Sequence, residues 1–132
     1  KNSSAVLIPK DSIVVSTRAA IGRVGVTKIP LATNQGFKNI IIQDPSKTLP
    51  KYVANMILKL RDHMSKISTG STYKELSKKN FSRLSIPLPP IEIQKKLVEQ
   101  IEREKLTLLE SEENIELSKK KISTSINDIW GF

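Results

Sequence analysis

Few side chains in the first 90 residues could carry out chemistry. Asp11, Asp44, Asp62 and Glu75 are the only carboxylates before residue 91. None makes by spacing the pair that general acid–base catalysis needs. His63 is the single histidine; it stands between Leu60 and Met64 and reads as a flanking or half-buried structural residue. With no cysteine in the chain, a thiolate nucleophile, a disulfide scaffold and a thiolate metal site are all excluded. One histidine builds no His-rich metal centre either, so no metal is expected. Gly22-Arg23-Val24-Gly25 is too short for a phosphate loop and reads as strand punctuation. Asp44-Pro45 runs into Ser46, not into the Asp-Pro-Pro-Tyr of an adenine methyltransferase. No cofactor is expected, and the chain reads as a binder rather than an enzyme.

The strongest signal is charge. The 132 residues hold 22 Lys and Arg against 13 Asp and Glu, a net of +9. The excess is uneven: residues 1–90 carry 15 basic and 4 acidic residues, a net of +11, and residues 91–132 carry 7 basic and 9 acidic, a net of −2. A cationic part that attracts a polyanion is thus followed by a nearly balanced tail, two physical units with different roles. The hydrophobic content is 38% with 5% aromatic, which predicts a modest aliphatic core. No apolar run reaches the length of a membrane helix and no leader pattern opens the chain, which together with the missing cysteines suits the cytoplasm. The chain opens on Lys1 rather than Met and reads as part of a longer protein.

These residues need elements to position them, and the pattern predicts an α+β fold. Residues 12–16 (SIVVS), 21–26 (IGRVGV) and 37–42 (FKNIII) read as strands rich in valine and isoleucine. Between the last two lies the polar loop Ala32 to Gly36. A helix is predicted over 49–67, with Thr48 as cap, Pro50 in its first turn and an apolar face of Val53, Met56, Ile57, Leu60, Met64 and Ile67. The polar stretch Ser68 to Thr72, with Gly70, ends it. A helical turn near 75–80 and a strand near 83–88 follow, the latter barred from a central position by Pro87, Pro89 and Pro90. The predicted boundary falls at 90. From Ile91 the composition becomes helix-forming, and no proline or glycine recurs until Gly131. Ile101, Leu108, Ile115, Ile122 and Ile129 recur every seven residues, preceded by Leu97 and Val98. The intervening positions are Glu104, Ser111, Ser118 and Ser125. A helix of about 38 residues would be roughly 57 Å long, too long for a 90-residue domain to cover, so its stripe predicts packing against another helix.

Taken together, DSIVVSTRAAIGRVGV, ATNQGF and GSTYKELSKKNFSRLSIPLPPIEIQKKLVEQI resemble the specificity subunit of type I restriction–modification enzymes. The matching motifs are Asp11 to Val15, Ser16-Thr17-Arg18, Ile21-Gly22, Ala32 to Phe37, Gly70-Ser71-Thr72, Ile86 to Pro90 and Gln94, over nearly the whole chain. Two positions depart: Lys10 stands where a glycine usually precedes the Asp, and Ala19 where a glycine usually follows Ser-Thr-Arg. The resemblance implies a small mixed β-sheet and helix arrangement, the latter part of a DNA target-recognition domain (residues 1–90), and a long coiled-coil helix (91–132). It implies a non-catalytic component that reads one half of a split double-stranded DNA target and docks methyltransferase subunits, with the restriction subunit joining the assembly. It implies antiparallel helix pairing through Leu97, Ile101, Leu108, Ile115, Ile122 and Ile129, expected here as a homodimer.

Within that reading, Arg18, Arg23, Lys38, Lys66, Lys74, Lys78 and Lys79 are the candidate phosphate contacts, with Arg18 also a candidate for a structural ion pair. Asn34 and Gln35, and Ser71, Thr72 and Tyr73, sit on the loops that could reach base edges. For Asn34 and Gln35, phosphate or turn-stabilising roles compete with base contact. Tyr73 and Phe37 could stack on an extruded base, but Phe37 is expected to pack in the core. Two other readings remain: the C-terminal recognition region of a fused methyltransferase–endonuclease, and a cationic coiled-coil scaffold without sequence preference.

Overall fold

In a computed structural model, the structure describes residues 6–130. It is α+β. Strands β1 (Leu7–Ile8), β2 (Ile13–Ser16), β3 (Val24–Val26), β4 (Leu31–Ala32) and β5 (Phe37–Ile40) precede helices α1 (Pro50–Lys59), α2 (Arg61–Lys66), α3 (Lys78–Phe81) and α4 (Ile91–Trp130). Strand β2 is the centre of an antiparallel sheet ordered β3-β2-β5, and β1 pairs antiparallel with β4.

The alternation in β2 explains its place. Ile13 and Val15 point inward and are fully buried, joined by Ile21, by Tyr52, Val53 and Ile57 of α1, by Met64 of α2 and by Leu76. Each such side chain removed from water stabilises the fold by roughly 1.5–3 kcal/mol. Tyr52 also has a polar end to satisfy, and its hydroxyl donates to Pro87 O at 2.9 Å.

The structure corrects several local expectations. The predicted 49–67 helix is interrupted at Leu60, whose amide donates to Ile57 O while its carbonyl accepts from Met64 N. This single tighter turn leaves the apolar spacing intact, which is why the pattern read as continuous. Thr48 does not cap α1; the N-cap is Leu49 and no side chain caps it. Gly70 does not terminate α2, whose C-cap is Ile67. Residues 83–88 form no strand; three prolines remove the donors a ladder needs, leaving extended backbone only. Strand β3 starts at Val24 because Ile21 and Gly22 lie in a turn, with Gly22 at φ +82°. Strands β1 and β4 were not foreseen, being two residues each.

Compact packing divides the chain between Val98 and Glu99, so the first two turns of α4 belong with the globular unit. There Gln94 is fully buried. Its Oε1 accepts from Leu49 N at 2.9 Å, and its Nε2 donates to Lys47 O at 2.8 Å and to Pro89 O at 2.7 Å. In the second unit α4 runs unbroken to Trp130. Leu108, Ile115, Ile122 and Ile129 are exposed, Leu108 by 60%. Leu106, Leu109 and Leu117 are exposed as well and, at 100° per residue, fall off that stripe, a second apolar face that the heptad spacing alone did not reveal. Among the described residues no helix is long and apolar enough to cross a membrane.

Candidate nucleic-acid interface

The candidate site is built from the end of β2. Ser16, its last residue, organises the turn that follows. The Ser16 amide donates to Arg23 O at 2.9 Å and Ser16 O accepts from Gly22 N at 2.9 Å. Its hydroxyl donates to Ala20 O and accepts from Arg23 N. The 17–23 turn is thereby closed on one serine. Ala19 within it lies at φ +55°, the left-handed region that costs a side chain about 1–2 kcal/mol; this is the position where the resemblance expects glycine. Gly22 has a second reason to lack a side chain: a Cβ there would meet Arg61 Cγ at 2.7 Å.

The next residue, Thr17, reaches two other loops. Its exposure is 0%. Its amide and hydroxyl both donate to Gly36 O, at 2.8 and 3.1 Å, and its carbonyl accepts from Leu76 N at 3.0 Å. Residue 36 closes the loop that carries Asn34 and Gln35. Leu76 follows a loop whose base is the reciprocal backbone pair Thr69–Glu75, at 3.0 and 2.8 Å. Three loops therefore meet at one buried threonine.

Arg18 completes the join. Its Nε lies 3.1 Å from Glu75 Oε1, with both side chains about half exposed. The ion pair anticipated for Arg18 is present. Such an exposed pair is worth at most about 1 kcal/mol but holds the arginine beside the 69–75 loop.

The structure distributes the other candidates around this junction. Asn34 Oδ1 accepts from Gly36 N at 2.8 Å, so the turn-stabilising role holds for that oxygen. Gln35 is exposed and its carbonyl accepts from Lys38 Nζ at 3.4 Å. Ser71, Thr72, Tyr73 and Lys74 are exposed on the 69–75 loop, Tyr73 by 87%. Arg23, Lys66, Lys78 and Lys79 are exposed too. Lys78 and Lys79 open α3, which Ser77 caps by accepting from Asn80 N, and the Asn80 side-chain Nδ2 donates to Ile67 O at 2.8 Å, one residue beyond Lys66. Phe37 is not core: it is 38% exposed, on the outer face of β5. It lines an open groove of about 750 Å³ with Ile40, Ile57, Phe81, Lys38 and Lys78. In that groove's wall Asn39 donates to Thr33 Oγ1 while its own Oδ1 is buried without a partner.

Nothing in the junction is arranged for proton transfer. Glu75 faces an arginine, and His63 lies exposed on α2. Outside the junction, the Asp44 carboxyl is lowered from its ordinary pKa. The Ser46 hydroxyl and amide, together with Lys47, hold it low in the Asp-Pro turn, where it is a turn residue. Among the described residues no cluster of three metal-ligating side chains occurs. Sequence reasoning missed Ser16 and Thr17 as organisers. The available signal was three polar residues directly after a strand of Ile-Val-Val, where buried hydroxyls must find backbone partners.

Residues 1–119 match the family model of the type I restriction modification DNA specificity domain. The chain is 37% identical over 97 residues to the type I restriction enzyme MjaIX specificity subunit of Methanocaldococcus jannaschii, covering 74% of this chain and 22% of that protein. It is 26% identical over 124 residues to the putative MjaX specificity subunit of the same organism, covering 92% of this chain and 29% of that protein. Among solved structures, a type I R-M system chain superposes with a TM-score of 0.74 at 22% identity over 92% of this chain and 30% of its own. The HsdS subunit from Thermoanaerobacter tengcongensis gives 0.62 at 22% identity, over 80% of this chain and 25% of that one. The chain thus spans under a third of the relatives it matches.

Proposed function

The chain belongs to the type I restriction modification DNA specificity domain family, and from that premise we propose that it is the DNA-reading part of a specificity subunit. It recognises one half of a split double-stranded target, and it contributes no catalytic group. Methylation and cleavage reside in methyltransferase and restriction subunits that the whole protein docks, in the cytoplasm.

The observation that carries the reading is the junction at Thr17. It gathers loops bearing Arg18, Arg23, Asn34, Gln35, Ser71, Thr72, Tyr73 and Lys74 within a region whose first 90 residues carry +11. Cations there neutralise phosphates and set register, while short side chains on loops reach base edges. Lys38, Lys66, Lys78 and Lys79 extend the phosphate-binding surface. On α4, the stripe Leu97, Ile101, Leu108, Ile115, Ile122 and Ile129 serves an antiparallel helix partner, a second copy in the isolated chain. The face of Leu106, Leu109 and Leu117 supports docking of a further helix from a methyltransferase subunit.

The test is duplex binding at graded salt, comparing duplexes selected from a randomised pool with scrambled ones. Affinity should fall steeply with salt, and the selected duplexes should bind tighter than scrambled ones at every salt. Salt-dependent binding with no preference would favour a cationic scaffold; binding indifferent to salt would remove the DNA assignment.

A further inference from the structure

Resting on the DNA-binding reading, we infer that Thr17 is a positioning residue for sequence discrimination, fixing the 33–36 and 69–76 loops against the 17–23 turn. The hydroxyl is the informative atom. Gly36 O already accepts the Thr17 amide at 2.8 Å, and the Thr17 Oγ1 adds a second donor to the same oxygen at 3.1 Å. Two donors on one acceptor hold the loop in direction as well as distance. Thr17 O also takes Leu76 N, at 3.0 Å, so a shift at either loop is felt at the other.

Base reading depends on this arrangement more than phosphate binding does. Exposed lysines meet a phosphate chain from many poses, and their contribution is set by charge. A side chain that reads a base edge must reach one donor–acceptor pattern in a groove where the next pattern lies a base step away. Asn34 and Gln35 ride on one tethered loop, and Ser71, Thr72 and Tyr73 on the other. Loosening Thr17 therefore removes discrimination before it removes affinity.

Thr17→Val keeps the side-chain volume, the β-branch and both backbone bonds, and deletes only the hydroxyl. Thr17→Ser keeps the hydroxyl and serves as the conservative control. The chain and both variants are assayed against duplexes selected by the wild type from a randomised pool and against scrambled duplexes, with amide hydrogen exchange of the free proteins alongside. For Thr17→Val, affinity for scrambled DNA and its salt slope should stay within about twofold of wild type. The ratio of selected to scrambled affinity should fall about tenfold or more, the worth of a good base contact. Exchange should quicken at residues 35–37 and 70–76 and not at Ile13 to Val15, and Thr17→Ser should retain the wild-type ratio. An unchanged ratio in Thr17→Val overturns the positioning role and leaves DNA binding standing. Parallel loss of both affinities with exchange quickened throughout the sheet overturns it as well, since Thr17 would then only support the fold. A wild type that selects no sequence overturns the reading beneath it.

Discussion

The Leu49 amide donates to Gln94 Oε1 at 2.9 Å, so the residue that opens α1 is held by the fourth residue of α4. The same amide side chain donates to Lys47 O and Pro89 O; Gln94 itself is fully buried, while Leu49 and Pro89 are half-buried and Lys47 is exposed. Gln94→Leu preserves bulk but strands one donor and two acceptors. At about 1–3 kcal/mol for each buried group left unpaired, with relaxation recovering part, the variant should lose about 3 kcal/mol in urea unfolding. A loss under about 1 kcal/mol would mean that water replaces the amide at little cost.

Ala19 offers the opposite sign. It is exposed and sits at φ +55°, so its methyl group contributes strain without packing. Ala19→Gly should stabilise the protein by about 0.5–1 kcal/mol, the relief of the left-handed penalty less the entropy glycine gains when unfolded. A lower melting temperature for this variant would show that the turn geometry is not retained in solution.

Two glycines three positions apart should respond differently. Gly22 is at φ +82°, with Arg61 Cγ 2.7 Å and Met64 Cε 3.1 Å from where a Cβ would stand; Gly25, in β3, has nothing within 4 Å. Gly22→Ala should cost about 2 kcal/mol, while Gly25→Ala should be neutral or stabilise by up to about 1 kcal/mol. Equal effects in thermal unfolding would contradict the packing of α2 over the turn.

For the cationic surface, Lys74→Gln, Lys78→Gln and Lys79→Gln combined should weaken binding alike for selected and scrambled duplexes. The salt slope should drop by about 1 for each lysine that meets a phosphate. An unchanged slope would place the phosphate track elsewhere on residues 1–90.

The helix can be tested by its oligomeric state. Ile101→Asp with Ile115→Asp puts two carboxylates on the stripe and leaves Leu108 intact. The parent chain should sediment as a dimer at micromolar concentration and the double variant as a folded monomer, judged by unchanged helical circular dichroism. A monomeric parent would refute self-pairing and assign the stripe to another subunit's helix.

How much of this was legible in the sequence follows the physical range of each signal. Strand β2 and helix α4 were readable because an apolar pattern repeats along them: Ile13 and Val15 alternate, and an isoleucine or leucine returns every seventh residue from Ile101 to Ile129. The α1–α2 interruption at Leu60 was not, because one tighter turn leaves the three- and four-residue spacing intact. Strands β1 and β4 escaped because two residues show no period. The segments at 33–36 and 69–75 were legible as polar loops, yet their meeting at Thr17 was invisible, since those bonds join residues 19 and 59 positions apart in the chain. Phe37 misled for a related reason: an aromatic beside Ile40 and Ile41 looks like core unless its pairing with Ser16, on the face opposite Ile13 and Val15, is known.

Gly70, at φ +129°, leaves no room for a side chain because the Tyr73 carbonyl oxygen occupies that space. The loop's base is closed by the Thr69–Glu75 pair, so the backbone beneath Tyr73 is already folded while the ring stands in water. A molecule that closes over this ring orders two side-chain torsions rather than a free segment. Each backbone residue fixed in advance spares the association roughly 1–2 kcal/mol of conformational entropy. The glycine thus acts on the thermodynamics of encounter, by settling before contact what a floppy loop would have to settle during it.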